Sequence, residues 1–466
     1  MKTVVRGGTV VNAVDTVAAD VLVDGERIVA LAAPDSDLAA SFATDAEVID
    51  ATGCYLVPGG IDAHTHFESG GQIAPVLDTF ETGTRASAFG GTTTIIDFVV
   101  PEAGTRMMEG FDRYGMMAGG NCSVDYAFHM MTFNIDELSP KEMDQLVDEG
   151  VTSFKMFMAY PGRLYSDDGQ ILRMMQQSGR NGALVMMHAE NGIAIDVLRD
   201  QAIEAGEVAP VHHSLTRPAL LEAEAVHRAA ALARVAGVGV YIVHLSSADA
   251  LAEVVAARDK GWNVFAETCP QYLFLELEDL ARPDFEGSKF VCSPPLRPRD
   301  HQQHLWRGLA TDDLQVVATD HCPFCWTQKE LGRGDFRNIP NGVPGVEHRM
   351  ELMYQGVVNR AGLSLNRWVE ICSTNPARMF GLHPRKGTIA PGADADLVIF
   401  DPQRRHTISA ATHHMNVDYS VYEGMELTGK VAKVLLRGKL IIDGELHLGR
   451  PGDGSFLRRG TCSMLR

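Results

Sequence analysis

No run in this 466-residue sequence reaches the roughly 20 apolar residues that a membrane-spanning helix needs. Residues 1–11 also lack the apolar core of a secretory leader, so a cytoplasmic protein is expected. Basic residues are the minority: 41 Lys and Arg against 60 Asp and Glu leave a formal net charge of −19. That balance repels phosphate backbones and anionic lipid, so neither nucleic acid nor a membrane surface is expected as a partner. Cysteine is too sparse for a disulfide framework, at 8 in the chain, and Cys322-Pro-Phe-Cys325 has no second pair to make a zinc ribbon. Reduced thiols are expected instead. Short repeats, low-complexity tracts and charged tails are absent too. With 45% hydrophobic and 22% charged residues, the composition is that of an ordinary globular protein.

Both ends of the chain are rich in Val and Ile and broken by Gly and Asp turns. Strands are expected over 3–12, 18–24, 27–32 and 47–50, and again over 395–400, 431–437 and 439–443. One small sheet domain assembled from both termini follows from that texture. The middle alternates: strands over 60–64, 92–98, 125–132, 153–158, 183–188, 240–244, 263–267 and 315–319, with helices such as 139–149, 167–178, 218–235 and 248–260. Strand–helix units in that number suit a parallel (β/α)8 barrel better than an open doubly wound sheet, though the pattern alone allows both. The expected division is 1–56 and 386–446 for the sheet domain, 57–385 for the barrel and 447–466 for a C-terminal arm.

Polar residues cluster at the ends of these strands, the face on which barrel enzymes build their sites. His64 and His66 are two apart, so an extended strand points both to one side. By the same rule Lys155 shares a face with Ser153 and Phe157 and enters the barrel mouth, while Phe154, Met156 and Met158 face the helices. His188, His244 and Asp320 each follow an apolar run. Singly, each has an ordinary explanation: a hydrogen-bonded histidine, a snorkelling lysine, a capping aspartate. Together, in this order on five strands, they are hard to assign to packing. An ammonium among aromatics and methionines is costly, and desolvation drives Lys155 towards the neutral amine. A neutral amine takes up carbon dioxide as a carbamate, an anionic two-oxygen ligand. With it, four histidines and Asp320 can complete the coordination of two divalent ions, zinc by donor type or manganese, leaving a small net positive charge for an oxyanion. Tyr160 follows in Phe-Met-Ala-Tyr, where its phenol can donate to that oxyanion or merely pack at the rim.

These residues carry a resemblance to the dihydropyrimidinase/D-hydantoinase family of cyclic amidohydrolases. The matching segments are Pro-Gly-Gly-Ile-Asp-Ala-His-Thr-His (58–66), Gly-Gly-Thr-Thr-Thr-Ile-Ile-Asp-Phe (90–98) and Ser-Phe-Lys-Met-Phe-Met-Ala-Tyr (153–160). His-Ala-Glu-Asn (188–191), Glu-Thr-Cys-Pro-Gln-Tyr-Leu (267–273), Cys-Ser-Pro-Pro-Leu-Arg (292–297), Ala-Thr-Asp-His-Cys (318–322) and Asn-Gly-Val-Pro-Gly-Val-Glu (341–347) follow. Lys-Gly-Thr-Ile-Ala-Pro-Gly-Ala-Asp-Ala-Asp-Leu (386–397) leads back to the sheet domain. The resemblance spans nearly the whole chain. It implies a (β/α)8 barrel with a small β-sandwich, His64, His66 and Asp320 on one metal, His188 and His244 on the other, and carboxylated Lys155 between them. It further implies that Tyr160 stabilises the tetrahedral intermediate, that main-chain groups of Ser293 and Asn341 hold the ring edge, and that the protein is a homotetramer.

The reaction so implied is opening of hydantoin and 5,6-dihydropyrimidine rings to N-carbamoyl amino acids, with Asp320 moving a proton from water to the leaving nitrogen. Dihydroorotase and allantoinase are the neighbouring alternatives. Dihydroorotases resemble the chain less because they carry an arginine where this sequence has Glu68; allantoinases differ around Phe-Met-Ala-Tyr. A non-catalytic scaffold relative would have lost ligands that are intact here. In one place the chain departs from the family: the loop from Phe67 to Pro75 is polar and glycine-rich, with Phe67 and Ile73 expected as its apolar contribution to the substituent pocket.

Overall fold

The computed structural model describes residues 2–71 and 73–464. Its centre is a barrel of parallel strands in chain order: Gly60–Thr65, Thr92–Val99, Asp125–Met131, Ser153–Phe157, Leu184–His188, Val240–Ile242, Val264–Thr268 and Val316–Val317. The ring closes where the first strand meets the segment after the last. There His66 N–H donates to the His321 carbonyl at 3.0 Å, and Thr65 bridges His321 in parallel. The two-residue alternation places Phe154, Met156 and Met158 in the core between strands and helices. Phe157 lies in a separate inner cluster with Ile61, Phe98, Met186 and Tyr241. Helix boundaries follow local chemistry. Asp167 and Ser247 accept from the third residue of Asp168–Asn181 and Ala248–Asp259, and left-handed Gly182 and Gly237 end Asp168–Asn181 and Ala219–Ala236.

The termini build two further sheets. A 4-stranded sheet holds Arg27–Ala32, Asp20–Asp24, Lys2–Arg6 and Glu47–Asp50; a 7-stranded sheet joins Thr9–Val11, Thr16–Ala18 and Tyr55–Pro58 to Leu397–Thr407, Glu426–Leu436, Lys439–Asp443 and Leu446–His447. Val5, Val10, Val21, Leu56, Leu397 and Leu435 form the core between them. The single strand expected over 3–12 is therefore two, one in each sheet. The break falls at Gly7, whose φ of +78° suits only a residue without Cβ and whose N–H donates to Asp20 Oδ1 at 2.9 Å. The 18–24 strand divides likewise at Ala19.

Lys386 clamps sheets to barrel. Its buried ammonium lies 2.6 Å from Asp125, 2.6 Å from Asp396 and 3.0 Å from Asp394, and Asp125 also takes Arg437. Burial opposes the charge, but those three carboxylates hold Lys386 above its ordinary pKa. The arm after Gly449 lies against its own barrel: Leu457 N–H donates to Tyr126 O at 2.7 Å, and buried Arg459 reaches Ser153 Oγ at 2.8 Å.

Candidate metal centre

Strand ends and the turns just beyond them carry the centre. His64 sits inside the first strand and His66 one residue past it, Lys155 in the fourth strand, and His188 at the end of the fifth. His244 and Asp320 were expected to end or adjoin longer strands. Pairing stops at Ile242 and Val317, so both lie in the following turns. Their φ values are +38° and +52°, and that of Tyr160 is +62°. Left-handed backbone at three non-glycine residues costs roughly 1–2 kcal/mol each and turns the side chains to positions a continuing strand would not provide. At Tyr160 the turn is held by its own carbonyl, which accepts from the amides of Arg163, Leu164 and Tyr165. Gly192 allows the next loop to approach: a Cβ there would stand 2.7 Å from Ala159 Cα.

These side chains converge. Asp320 Oδ1 lies 3.1 Å from His64 Nε2 and 3.1 Å from His66 Nε2, and Lys155 Nζ is 2.9 Å from His64 Nε2. Ring centroids are 5.2 Å apart for His64 and His66, 5.2 Å for His64 and His244, and 4.6 Å for His188 and His244. His64, His244 and Asp320 each offer a donor atom within 4.8 Å of the others. Sequence reasoning gave no role to the carboxylates that aim these rings. Glu267 binds His64 Nδ1, the Tyr241 hydroxyl and the His244 amide; Glu190 lies 2.7 Å from His188 Nε2. Both stand in segments noted above; Glu190, two residues after His188, carried a signal in the sequence, whereas Glu267 has no ligand histidine beside it.

Electrostatics favour cation binding. Burial pushes His66 down to about 4, and lowers His188 and His244, so these rings are neutral donors. His64 is the exception: burial and Lys155 press it down, but Glu267 and Asp320 outweigh them. Burial would raise Asp320, yet His64, His66 and His244 hold it far below the usual carboxylate range. Lys155 is 2% exposed, stands 4.4 Å from the Phe98 ring centroid, and is pushed by burial down to about 8. Neutral imidazoles, an ionised carboxylate and an amine poised to lose its proton suit first-row divalent ions. His244 Nδ1, buried without a hydrogen-bond partner, points the same way.

Above the centre opens a cavity of about 210 Å³ whose wall includes His66, Lys155, Tyr160, His188, His244 and Asp320. Ser293 and Asn341 also line it, and Asn341 Oδ1 is buried and unpaired. Tyr160 and Ser293 share this wall, and the Ser293 hydroxyl is 3.1 Å from His213 Nε2. The polar loop contributes Ser69, Gly70 and Gly71. Phe67 does not face this cavity: it is fully buried against Phe80 and His321. Ile73 lines a neighbouring depression, and Gln72 lies outside the described residues. The apolar wall comes instead from Val100, Met131, Phe157, Leu164 and Phe324.

Fold and donor set together define a class, that of parallel barrels with a metal-binding rim at the strand C-termini. The chain belongs to the amidohydrolase family, whose description matches residues 55–441. It is 58% identical to the D-hydantoinase of Streptomyces coelicolor, over 100% of this chain and 99% of that protein. Among solved structures it is similar to dihydropyrimidinase from Brevibacillus agri, with a TM-score of 0.96, 47% identity and 99% of each chain covered. L-hydantoinase (dihydropyrimidinase) from Arthrobacter aurescens also matches, at a TM-score of 0.88 and 29% identity over 97% of this chain and 99% of that one.

Proposed function

We propose that this protein is a cyclic amidase of the dihydropyrimidinase/hydantoinase type, hydrolysing the ring amide of hydantoins and 5,6-dihydropyrimidines to N-carbamoyl amino acids. One observation carries the reading: Asp320, Lys155 and the imidazoles of His64, His66, His188 and His244 meet beneath the cavity that Tyr160, Ser293 and Asn341 line. Full-length identity to a D-hydantoinase supports it independently.

In this reading His64, His66 and Asp320 would hold one divalent ion and His188 and His244 the other, with Lys155, as its carbon dioxide carbamate, as a further ligand. When bound, the ions, zinc or manganese, supply Lewis acidity and lower the pKa of water. The protein's own groups do the rest. Main-chain groups of Ser293 and Asn341 hold the imide or ureide edge of the ring. The Tyr160 hydroxyl donates to the carbonyl oxygen as charge develops there. Asp320 accepts a proton from the attacking water and returns it to the ring nitrogen as the C–N bond breaks.

Dihydroorotase-type recognition of a substrate carboxylate lacks support at Glu68, whose Oε1 instead accepts from the Phe80 amide at 3.1 Å. The proposal extends to a reduced, cytoplasmic homotetramer that acts on small cyclic diamides and has neither nucleic acid nor a membrane surface as partner. It keeps 57–385 as the catalytic unit, 1–56 and 386–446 as the sheet domain, and 447–466 as the arm. Among the described residues no helix is long and apolar enough to cross a membrane. Metal analysis beside turnover of hydantoin, dihydrouracil, dihydroorotate and allantoin provides the test. Wild type is expected to open the first two rings, and Lys155→Ala to lose both metal and turnover; full turnover by metal-free protein would overturn the reading.

A further inference from the structure

A second gathering of histidines lies where the barrel meets the C-terminal sheet. His348, His406, His413 and His414 line a cavity of about 220 Å³ that shares no lining residue with the one above the metal centre. Glu347 and Glu351 stand behind it. Glu351 Oε2 is 2.9 Å from His406 Nε2 and its other oxygen accepts from the Val431 amide. Glu347 accepts from His414 Nδ1 at 2.8 Å and from the His414 amide at 2.6 Å. All four oxygens of Glu347 and Glu351 are thus engaged, and the ring nitrogens not turned to them are His406 Nδ1 and His414 Nε2.

The remaining donors are imidazole nitrogens without partners. His406 Nδ1 is buried and unpaired, and so is His348 Nε2 on a residue only 6% exposed. Neither ring nitrogen of His413 meets hydrogen-bond geometry, although the ring is turned towards the Tyr419 main chain. Burial holds His348 down to about 3 and also lowers His413, so both rings are neutral. Buried polar atoms left unpaired around a cavity call for a ligand, and a carboxylate behind the ring, as Glu351 stands behind His406, is an arrangement that metal-binding histidines use. Lys430, the cation on the wall, is neutralised by Glu445 at 2.9 Å. With the Glu347 and Glu351 oxygens engaged and Glu445 paired to Lys430, the oxygen-rich shell that calcium and magnesium need is not offered; zinc, nickel and copper(II) suit the imidazole nitrogens.

We propose that this cavity is a second metal site, distinct from the catalytic centre, which takes one divalent ion of the zinc, nickel and copper class through His348, His406 and His413. The donors are not fully drawn together: the His348 and His413 centroids stand 6.4 Å apart. Two imidazoles on one tetrahedral ion, with metal–nitrogen bonds of about 2.0 Å, place their centroids roughly 5 Å apart. Occupation therefore draws the loop that follows the strand Leu397–Thr407 and carries His413 inward by about 1 Å, towards His348.

The inference stands apart from the proposed reaction, and its readout is metal content. Protein loaded with no more than the two equivalents of zinc that the catalytic centre takes is titrated with nickel chloride by calorimetry, with elemental analysis after gel filtration, beside His348→Gln/His413→Gln. Wild type is expected to take up about one nickel more than the variant, in the micromolar range, while zinc content and ring-opening turnover match. Nickel is also expected to raise Tm in the wild type only. Should the double variant fold poorly, His406→Gln and anomalous diffraction from nickel-soaked wild-type crystals decide: a peak among the three rings supports the site. Equal nickel uptake by wild type and variant, or no anomalous density in the cavity, overturns it.

Discussion

At Tyr160 the backbone is held left-handed so that a phenol stands over the metal centre. Burial pushes its pKa up to about 12, against Arg217 and with Glu190, so the hydroxyl is a donor throughout any working range. Tyr160→Phe is expected to lower kcat by roughly 100- to 1000-fold, the cost of one missing oxyanion donor, with KM and metal content little changed; an unaltered kcat would remove Tyr160 from the mechanism. In the proposed function Lys155 has the opposite task, since an amine that is to add carbon dioxide must first lose a proton. Depressed to about 8, it is largely ammonium below that pH and largely amine above it. Reconstitution of metal-free protein with zinc at constant dissolved carbon dioxide is therefore expected to speed up as pH rises through about 8 and then level off; a pH-independent rate would contradict this. Period-two alternation made Lys155 readable from sequence, because Ser153–Phe157 is a regular strand with its apolar partners facing the helices. Glu267 was not readable as a support, because nothing in its own strand shows that it reaches across the barrel to His64. Phe67 was misread because the left-handed turn at Glu68 redirects the chain and leaves the ring under the site.

Short elements, more than long ones, shape the substrate edge of the cavity. Lys329, the last residue of the helix Trp326–Lys329, is fully buried, and its Nζ donates to the carbonyls of Val291, Pro340 and Gly342 at 3.1, 2.7 and 2.8 Å. Those carbonyls flank Ser293 on one loop and Asn341 on the other. One side chain thus fixes the spacing between both groups proposed to grip the ring. Lys329→Met would leave the Pro340 and Gly342 carbonyls unpaired, at about 1–3 kcal/mol each, while Val291 O keeps the Gly342 amide at 2.9 Å. The loops are then expected to loosen, so that KM rises by about tenfold or more while kcat falls less and metal content is kept. A KM like that of wild type would deny Lys329 this positioning role. No periodicity announces such an element, and the same holds for Val316–Val317, too short for a strand pattern of its own. The N-terminal strands were visible as β-rich sequence, yet their partition between two sheets depends on a turn at Gly7 that composition alone does not locate.

Across the whole molecule, the C-terminal arm is what closes the barrel on the side away from the metal centre. Gly452 and Gly454 donate to Cys122 O at 3.0 Å each, Ser455 O accepts from Tyr126, and Arg459 N–H reaches Gly150 O at 3.1 Å. Phe456 packs against Tyr126 and Phe128 at centroid distances of 5.8 and 5.5 Å. Leu457, 1% exposed, joins the inner cluster that also holds Ile61, Phe157 and Met186. Among the described residues Arg459 has no carboxylate partner; its two terminal nitrogens donate to Ser153 Oγ and the carbonyls of Phe128 and Phe380, while Nε is left unpaired. Ser153 shares its face with Lys155, so the arm braces the strand on which the centre depends. Removing residues 455–466 uncovers Leu457's site, worth about 2 kcal/mol, and leaves buried acceptors unpaired at about 1–3 kcal/mol each. A loss on the order of 5 kcal/mol is expected. At about 2.1 cal/mol/K of unfolding entropy per residue, it lowers Tm by roughly 5 °C for a single cooperative unit. Calorimetry of the truncated protein checks this, with metal content and turnover measured below the new transition. An unchanged Tm would mean that the barrel floor holds without the arm, and bracing of the Lys155 strand would then have to come from its neighbours in the sheet alone.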